Sequence, residues 1–231
     1  MARLIEVSHE IEAGMVTYPG LPGPVLSDFL SREASRANYA EGTTFQIGRI
    51  EMVANTGTYV DAPFHRHEDG MDVAGLPLER LADVEGVVAD AAAASMSGGH
   101  AGASRTPRSR AIGPEAFAGL DLRNRAVLVR TGWSANWRTP RYAEGHPFLT
   151  REAAQTLLAA GPALVGIDSL NIDDDTDGAR PVHTLLLTAG IPIVEHLHNL
   201  ERLPREGFRF HCVPAPFRGV GSFPVRAYAV L

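Results

Sequence analysis

Cysteine is almost missing: Cys212 stands alone in 231 residues, so no intrachain disulfide can form. A reducing, cytoplasmic setting is therefore expected. No apolar run approaches the roughly 20 residues needed to cross a bilayer. The first residues, MARLIEVSHEIEAG, carry Glu6, Glu10 and Glu12 where a secretory leader needs an uninterrupted apolar centre. Basic charge is also scarce. Twenty-one Lys and Arg face 27 Asp and Glu, a net charge of −6, which argues against a phosphate-binding surface and hence against nucleic acid. There is no G-x-S-x-G elbow, no phosphate-binding G-x-x-x-x-G-K-[ST] loop and no G-x-G-x-x-G fingerprint. Ser169 follows Asp168 without an elbow around it, and Cys212, inside FRFHCV, reads as a packed residue.

What remains is ordinary globular material, 45% hydrophobic and 21% charged, enough to bury a core over one medium-sized domain spanning 1–231. Strands are expected at residues 4–8, 45–53, 84–89, 126–130, 163–167, 191–195, 208–213 and 225–230. Residues 14–24 read as a glycine- and proline-rich loop. Thr150 caps a helix in which Ala154, Leu157 and Leu158 share a face and which Gly161 ends. A shorter helix begins at His183 and stops at Gly190. The small, polar stretch at about 91–110 reads as an exposed excursion. No internal repeat is present. The pattern is that of an α/β or α+β protein.

The chemistry concentrates in NTGTYVDAPFH, residues 55–65. Asp61 and His65 lie four apart, but Pro63 between them forbids a helix interior, and Ala62 before it is pushed toward extended geometry. A strand end followed by a shaped loop is expected. Carboxylate oxygen and imidazole nitrogen are ordinary ligands for zinc or manganese. Taken alone, the pair is better served by a turn cap and a hydrogen-bonded loop histidine than by a metal site, since two residues do not make a site. The acidic run DDDTDG, residues 173–178, resembles the opening of a calcium loop, yet Thr184 stands where the closing glutamate belongs and Pro181 interrupts it. It is read as a solvated turn. Glu195 ends the apolar strand IPIVE, where sheets present site residues, and His183 opens its helix.

NTGTYVDAPFH resembles H-x-G-T-H-x-D-x-P-x-H, the hallmark of the metal-dependent cyclase family of bacterial kynurenine formamidases, isatin hydrolases and some polyketide ring cyclases. EVSHEIEAGMVTYPG, VLVRTGW, LVGIDSLNID, RPVHTLLLTAGIPIVEHLHNLERLP and FPVRAYAVL resemble further family segments in the same order. The resemblance implies an α/β fold with a mixed, strongly curved sheet, subunits paired as a homodimer or higher homo-oligomer, and a small-molecule substrate. It places metal ligands at Asp61, His65 and Glu195 and a catalytic histidine at His183. The hallmark's two leading histidines are Asn55 and Tyr59 here, so one divalent ion, zinc or manganese, is expected rather than two. Tyr59 becomes a catalytic donor and Asn55 a substrate-binding amide, with Trp133 lining an apolar wall. The implied activity is hydrolysis of a small amide, lactam or lactone by metal-activated water. A carbonyl cyclase or dehydratase using the same residues, and a degenerate metal-free binding protein, are the alternatives.

Overall fold

A computed structural model describes residues 2–92 and 110–231. Apart from Ala91, Ala92 and Arg110, the excursion expected at about 91–110 lies outside the described residues. The strands, in chain order, are β1 (Leu4–Glu6), β2 (Val25–Leu30), β3 (Ile47–Glu51), β4 (Tyr59–Asp61), β5 (Val84–Asp90), β6 (Ala111–Ile112), β7 (Ala126–Arg130), β8 (Phe148–Leu149), β9 (Leu164–Ile167), β10 (Ile193–Glu195), β11 (Glu206–His211), β12 (Ser222–Pro224) and β13 (Tyr228–Val230). The helices are α1 (Arg32–Ser35), α2 (Arg151–Ala160) and α3 (Pro181–Thr188).

Nine strands form one mixed sheet in the order β1-β13-β11-β5-β7-β9-β10-β4-β12. β5, β7, β9 and β10 run parallel, and antiparallel strands extend both sides. The single strand expected at 225–230 is two strands. β12 pairs with β4, while β13 pairs with β1 and β11 near the opposite edge. In a flat sheet those positions would be about 34 Å apart, at some 4.8 Å per strand. The four residues from Pro224 to Tyr228 reach at most about 14 Å. The sheet must therefore curl, and cross-links hold the curl: Val225 N–H donates to the Thr58 carbonyl at 2.9 Å and Val7 N–H to the Ala227 carbonyl at 2.9 Å.

Alternation along the strands then builds two cores. Val60, Leu128, Leu164 and Val194 point into the curl with Phe208 and Phe210. Val127, Val129, Val165, Ile167 and Ile193 point outward under Leu157 of α2 and Leu186 of α3. Each such side chain contributes about 1.5–3 kcal/mol when fully buried. α2 begins as expected, with the Thr150 hydroxyl accepting from Ala153 N–H at 3.2 Å, and ends at Gly161 with φ +68°. Because side chains alternate faces, Tyr59 and Asp61 flank inward Val60 and therefore share the helix-covered face with Glu195. This parity places the chemistry.

The sequence reading passed over β2, which pairs with β3 as a hairpin exposed almost throughout. Phe29 is 76% exposed and Ile50 64%.

Candidate metal centre

Register assembles the floor. β10 lies antiparallel to β4 with Glu195 opposite Tyr59, and β12 flanks β4 with Ser222 opposite Asp61. Tyr59 donates its hydroxyl to Glu195 Oε2 at 2.6 Å, and Ile172 N–H donates to Oε1 at 2.7 Å. Ser222 donates its hydroxyl to Asp61 Oδ1 and lies 3.0 Å from His65 Nδ1, while the Asn55 amide donates to Ser222 Oγ at 3.2 Å. Two glycines permit this crowding. Gly57 adopts φ +64° in the loop before β4, and a Cβ on Gly221 would stand 2.4 Å from the His65 Cα. Pro63 opens a short 3-10 turn, Pro63–His65, which lifts His65 to the rim.

α3 supplies the roof. The Asp173 carboxylate accepts the N–H groups of Val182 at 2.7 Å and His183 at 3.0 Å, capping the helix, and also holds His183 Nδ1 at 2.7 Å. His183 Nε2 is thereby aimed at the floor, 3.7 Å from both Asp61 Oδ2 and Glu195 Oε1.

Every one of these groups except His65 and Asn55 is buried. Burial alone would pull His183 down, but the hydrogen bond to Asp173 and the adjacent carboxylates of Asp61 and Glu195 lift its pKa to about 10. Burial pushes Asp61 upward, yet His65, His183 and Ser222 outweigh it and hold the carboxyl below its ordinary value. Glu195 goes the other way: burial raises it, and His183 compensates only in part. Burial and the neighbouring carboxylates keep the Tyr59 phenol protonated, a donor and not an anionic ligand.

The donors fit a divalent cation. Asp61, His65 and His183 each offer a ligand atom, and these atoms lie within 4.8 Å of one another. Asp61 Oδ2 is buried without a hydrogen-bond partner and faces His183 Nε2 at 3.7 Å, too far to bond directly, a gap that a cation held by both groups would fill. His183, expected as a proton carrier, belongs to this cluster, and Glu195, expected as a ligand, stands beside it. Asn55 and Tyr59 are turned to Ser222 and Glu195.

Asn55, Tyr59, His65, His183 and Glu195 line one cavity of about 300 Å³, with Tyr18, Arg66 and Arg180 at its sides. Trp133 is not brought there. Gly132 turns the chain at φ +74°, and the Trp133 indole donates to the Tyr142 carbonyl at 3.0 Å. Trp137 stacks on His9 at 4.1 Å, lining a separate groove. Asp173 and Ser222 escaped the sequence reading. Asp173 is the first residue of the acidic run set aside as a turn, and it is fully buried while Asp177 is exposed. Its position ten residues before His183 and just ahead of Pro181 was the available signal. Ser222 carries none, because only strand pairing brings it to Asp61.

Comparison with known proteins agrees with this architecture. The chain is 27% identical over 224 residues to a kynurenine formamidase from Geobacillus thermodenitrificans, covering 96% of this chain and 95% of the relative. A kynurenine formamidase from Bacillus cereus is 26% identical over the same length, with the same coverage. Among solved structures, isatin hydrolase A from Labrenzia aggregata superposes with a TM-score of 0.80 at 21% identity, covering all of this chain and 94% of that one. A potential metal-dependent hydrolase with cyclase activity superposes at 0.77 and 24% identity, covering 100% and 98%. Residues 5–174 match the family described as "Putative cyclase", and the chain belongs to that family.

Proposed function

We propose that the protein is a metal-dependent hydrolase of small amides, lactams or lactones. Asp61, His65 and His183 would hold one divalent ion, zinc or manganese, with Glu195 at hand. The observation that carries this reading is the buried, unpartnered Asp61 Oδ2 facing His183 Nε2 across 3.7 Å. Such an ion, when bound, lowers the pKa of water and polarises a carbonyl. The chain supplies the rest. Asp173 fixes the His183 ring so that Nε2 faces the cavity. Tyr59 and Ile172 together hold both oxygens of Glu195, whose raised pKa suits it to take up and return a proton. Asn55, half-buried at the rim, can turn its amide from Ser222 to a substrate carbonyl. Relatives that are kynurenine formamidases or isatin hydrolases support the same class of bond.

Elemental analysis of untagged protein, with a screen of formamides, lactams and lactones, tests the reading. About one ion per chain is expected, and a chelator should abolish turnover until the metal is returned. Two tightly held ions would contradict the roles given to Asn55 and Tyr59, and none would favour a metal-free binding protein. Oxygen-labelled water distinguishes hydrolysis, which places label in the acid product, from cyclisation or dehydration.

Tyr59→Phe removes the only donor to Glu195 Oε2 among the described residues. Turnover should fall by about 10²-fold, as on losing one donor at a site of developing charge. Turnover within twofold of wild type would leave Tyr59 a packing residue.

The substrate is a small molecule and the enzyme works as a homodimer or higher homo-oligomer. A two-stranded ribbon is marginal by itself in water, yet β2 and β3 expose Val25, Phe29, Ile47 and Ile50, which a second subunit would cover. Phe29→Asp with Ile50→Lys should convert the assembly to monomers in light scattering, and a wild-type monomer at micromolar concentration would refute it. Among the described residues no helix is long and apolar enough to cross a membrane. The free, buried Cys212 suits the cytoplasm, and one nine-stranded sheet with strands from Leu4–Glu6 to Tyr228–Val230 suits a single domain.

A further inference from the structure

The side walls of the cavity carry two guanidinium groups, from Arg180 and Arg66. Arg180 is half-buried and sits at φ +45°, ψ 59°, immediately before Pro181. That backbone is doubly disfavoured: side chains with a Cβ avoid the left-handed region, and a following proline pushes a residue toward extended geometry. A strained residue lining a functional cavity is held there by the surrounding fold, and the strain points to use.

The partners of Arg180 are all neutral. Its Nη1 donates to Asn171 Oδ1 and to the Asp174 carbonyl, and its Nη2 to the Asp175 carbonyl, each at 3.3 Å, with the Tyr18 hydroxyl also against it. These are long contacts for a group whose bonds to carboxylates run about 2.7–2.9 Å. The nearby Asp174 carboxylate is already taken by Thr176 and faces Arg110 at 3.7 Å. Arg66, at the end of the turn that carries His65, donates only to Thr184 Oγ1, at 3.2 Å. Thr184 lies one turn beyond Arg180 on α3, so the two cations flank the same helix start. Among the described residues neither has a carboxylate within 4 Å, whereas Arg125, Arg130 and Arg209 each do.

The cavity thus has Glu195 and His183 together in its lining, 3.7 Å apart and with the buried Asp61 carboxylate behind them, while its two guanidinium groups have no carboxylate within 4 Å among the described residues. A neutral substrate would give the half-buried Arg180 no counter-charge, while the exposed Arg66 keeps water around it.

We propose that Arg180, assisted by Arg66, binds an anionic group of the substrate, so that the amide or lactam hydrolysed is carried on a small carboxylic acid. This rests on the hydrolase reading of the floor. The planar guanidinium of Arg180 can exchange its long bonds to neutral oxygens for a paired, charge-assisted interaction with a carboxylate, which orients the scissile carbonyl toward His183 and Glu195. Substrates lacking the acid lose that orientation.

The test uses the metal-loaded protein and the 2-, 3- and 4-formamidobenzoates, each beside its uncharged carboxamide. At least one carboxylate should exceed its carboxamide by about 10- to 100-fold in kcat/KM. Arg180→Gln should bring that ratio to within about threefold of unity, chiefly through KM, while Arg180→Lys keeps part of it and Arg66→Gln lowers it less. A wild-type ratio near one overturns the proposal, and so does an Arg180→Gln protein in which both substrates fall by the same factor, the mark of a merely structural residue. Calorimetry of the same carboxylates on chelator-treated protein separates this idea from the hydrolase reading. If nothing is hydrolysed but Arg180→Gln weakens carboxylate binding at least tenfold, the arginine's role stands and the hydrolase reading falls. Unchanged binding in that variant removes the arginine's role.

Discussion

Asp61→Asn should eliminate both metal retention and amide turnover, by more than the roughly 100-fold that losing an outer partner of a metal site costs. The asparagine is isosteric and keeps an oxygen for the Ser222 hydroxyl, but it presents a neutral group where the buried Oδ2 stands. A bound ion stabilises the fold by about 2.7 kcal/mol at a hundred times its dissociation constant. For a domain of this size each kcal/mol moves the melting temperature by about 2–4 °C. Saturating zinc or manganese should therefore raise the wild-type melting temperature by about 5–10 °C and leave Asp61→Asn unmoved. The folded state holds Asp61 below its ordinary pKa, so the ionised carboxylate contributes stability that is present above the unfolded pKa and lost as pH falls through the folded one. Near neutral pH the metal-free variant should accordingly melt somewhat below metal-free wild type. The decisive readout is the metal-induced increment, and its survival in Asp61→Asn would move the metal site elsewhere.

Asp173→Ala is expected to cost stability and chemistry together. The alanine strips the Val182 and His183 N–H groups of their acceptor and frees His183 Nδ1, all within a buried pocket. Single bonds to a charged acceptor contribute about 1.5–3 kcal/mol, and breaking a buried pair costs about 3–5 kcal/mol. A loss of that order is a large fraction of the stability of an ordinary domain, about 5–15 kcal/mol. Urea unfolding should show a much lower midpoint, and metal affinity measured below that midpoint should fall by about 10- to 100-fold because the His183 ring is no longer oriented. Asp173→Asn separates the two roles: its amide oxygen can still cap α3, but its NH2 group competes with the ring nitrogen. It should recover much of the stability and little of the affinity. A wild-type unfolding curve for Asp173→Ala would mean that α3 is held by packing alone.

Much of the local structure was legible because local rules govern it. Thr150 and Gly161 bound α2 where cap chemistry puts them, and Pro63 turned the chain out of β4 as its ring geometry requires. Glu195 ends its strand as the pattern IPIVE predicts. The break between β12 and β13 was not legible, because both halves read as one apolar stretch and only pairing with different partners divides them. Trp133 shows the same limit from the side of the site. An aromatic after a buried strand suggests a pocket wall, but the left-handed turn at Gly132 decides which way the ring goes.

By itself the sequence offered the candidate side chains Asp61, His65, His183 and Glu195, and the odd-numbered spacing that sets Tyr59 and Asp61 on one face of an extended strand. That follows from covalent geometry, since the two-residue repeat of a strand belongs to the chain alone. Which face becomes the floor, and what stands around it, was decided only by the tertiary structure. Ser222 lies 161 residues from Asp61 and reaches it because β12 pairs with β4 at one register and no other. Asp173 turned from a solvated residue into the buried anchor of His183 because α3 begins against the sheet at that place. Such pairings depend on the curl of a nine-stranded sheet, a property of the whole chain that no window of neighbouring residues contains.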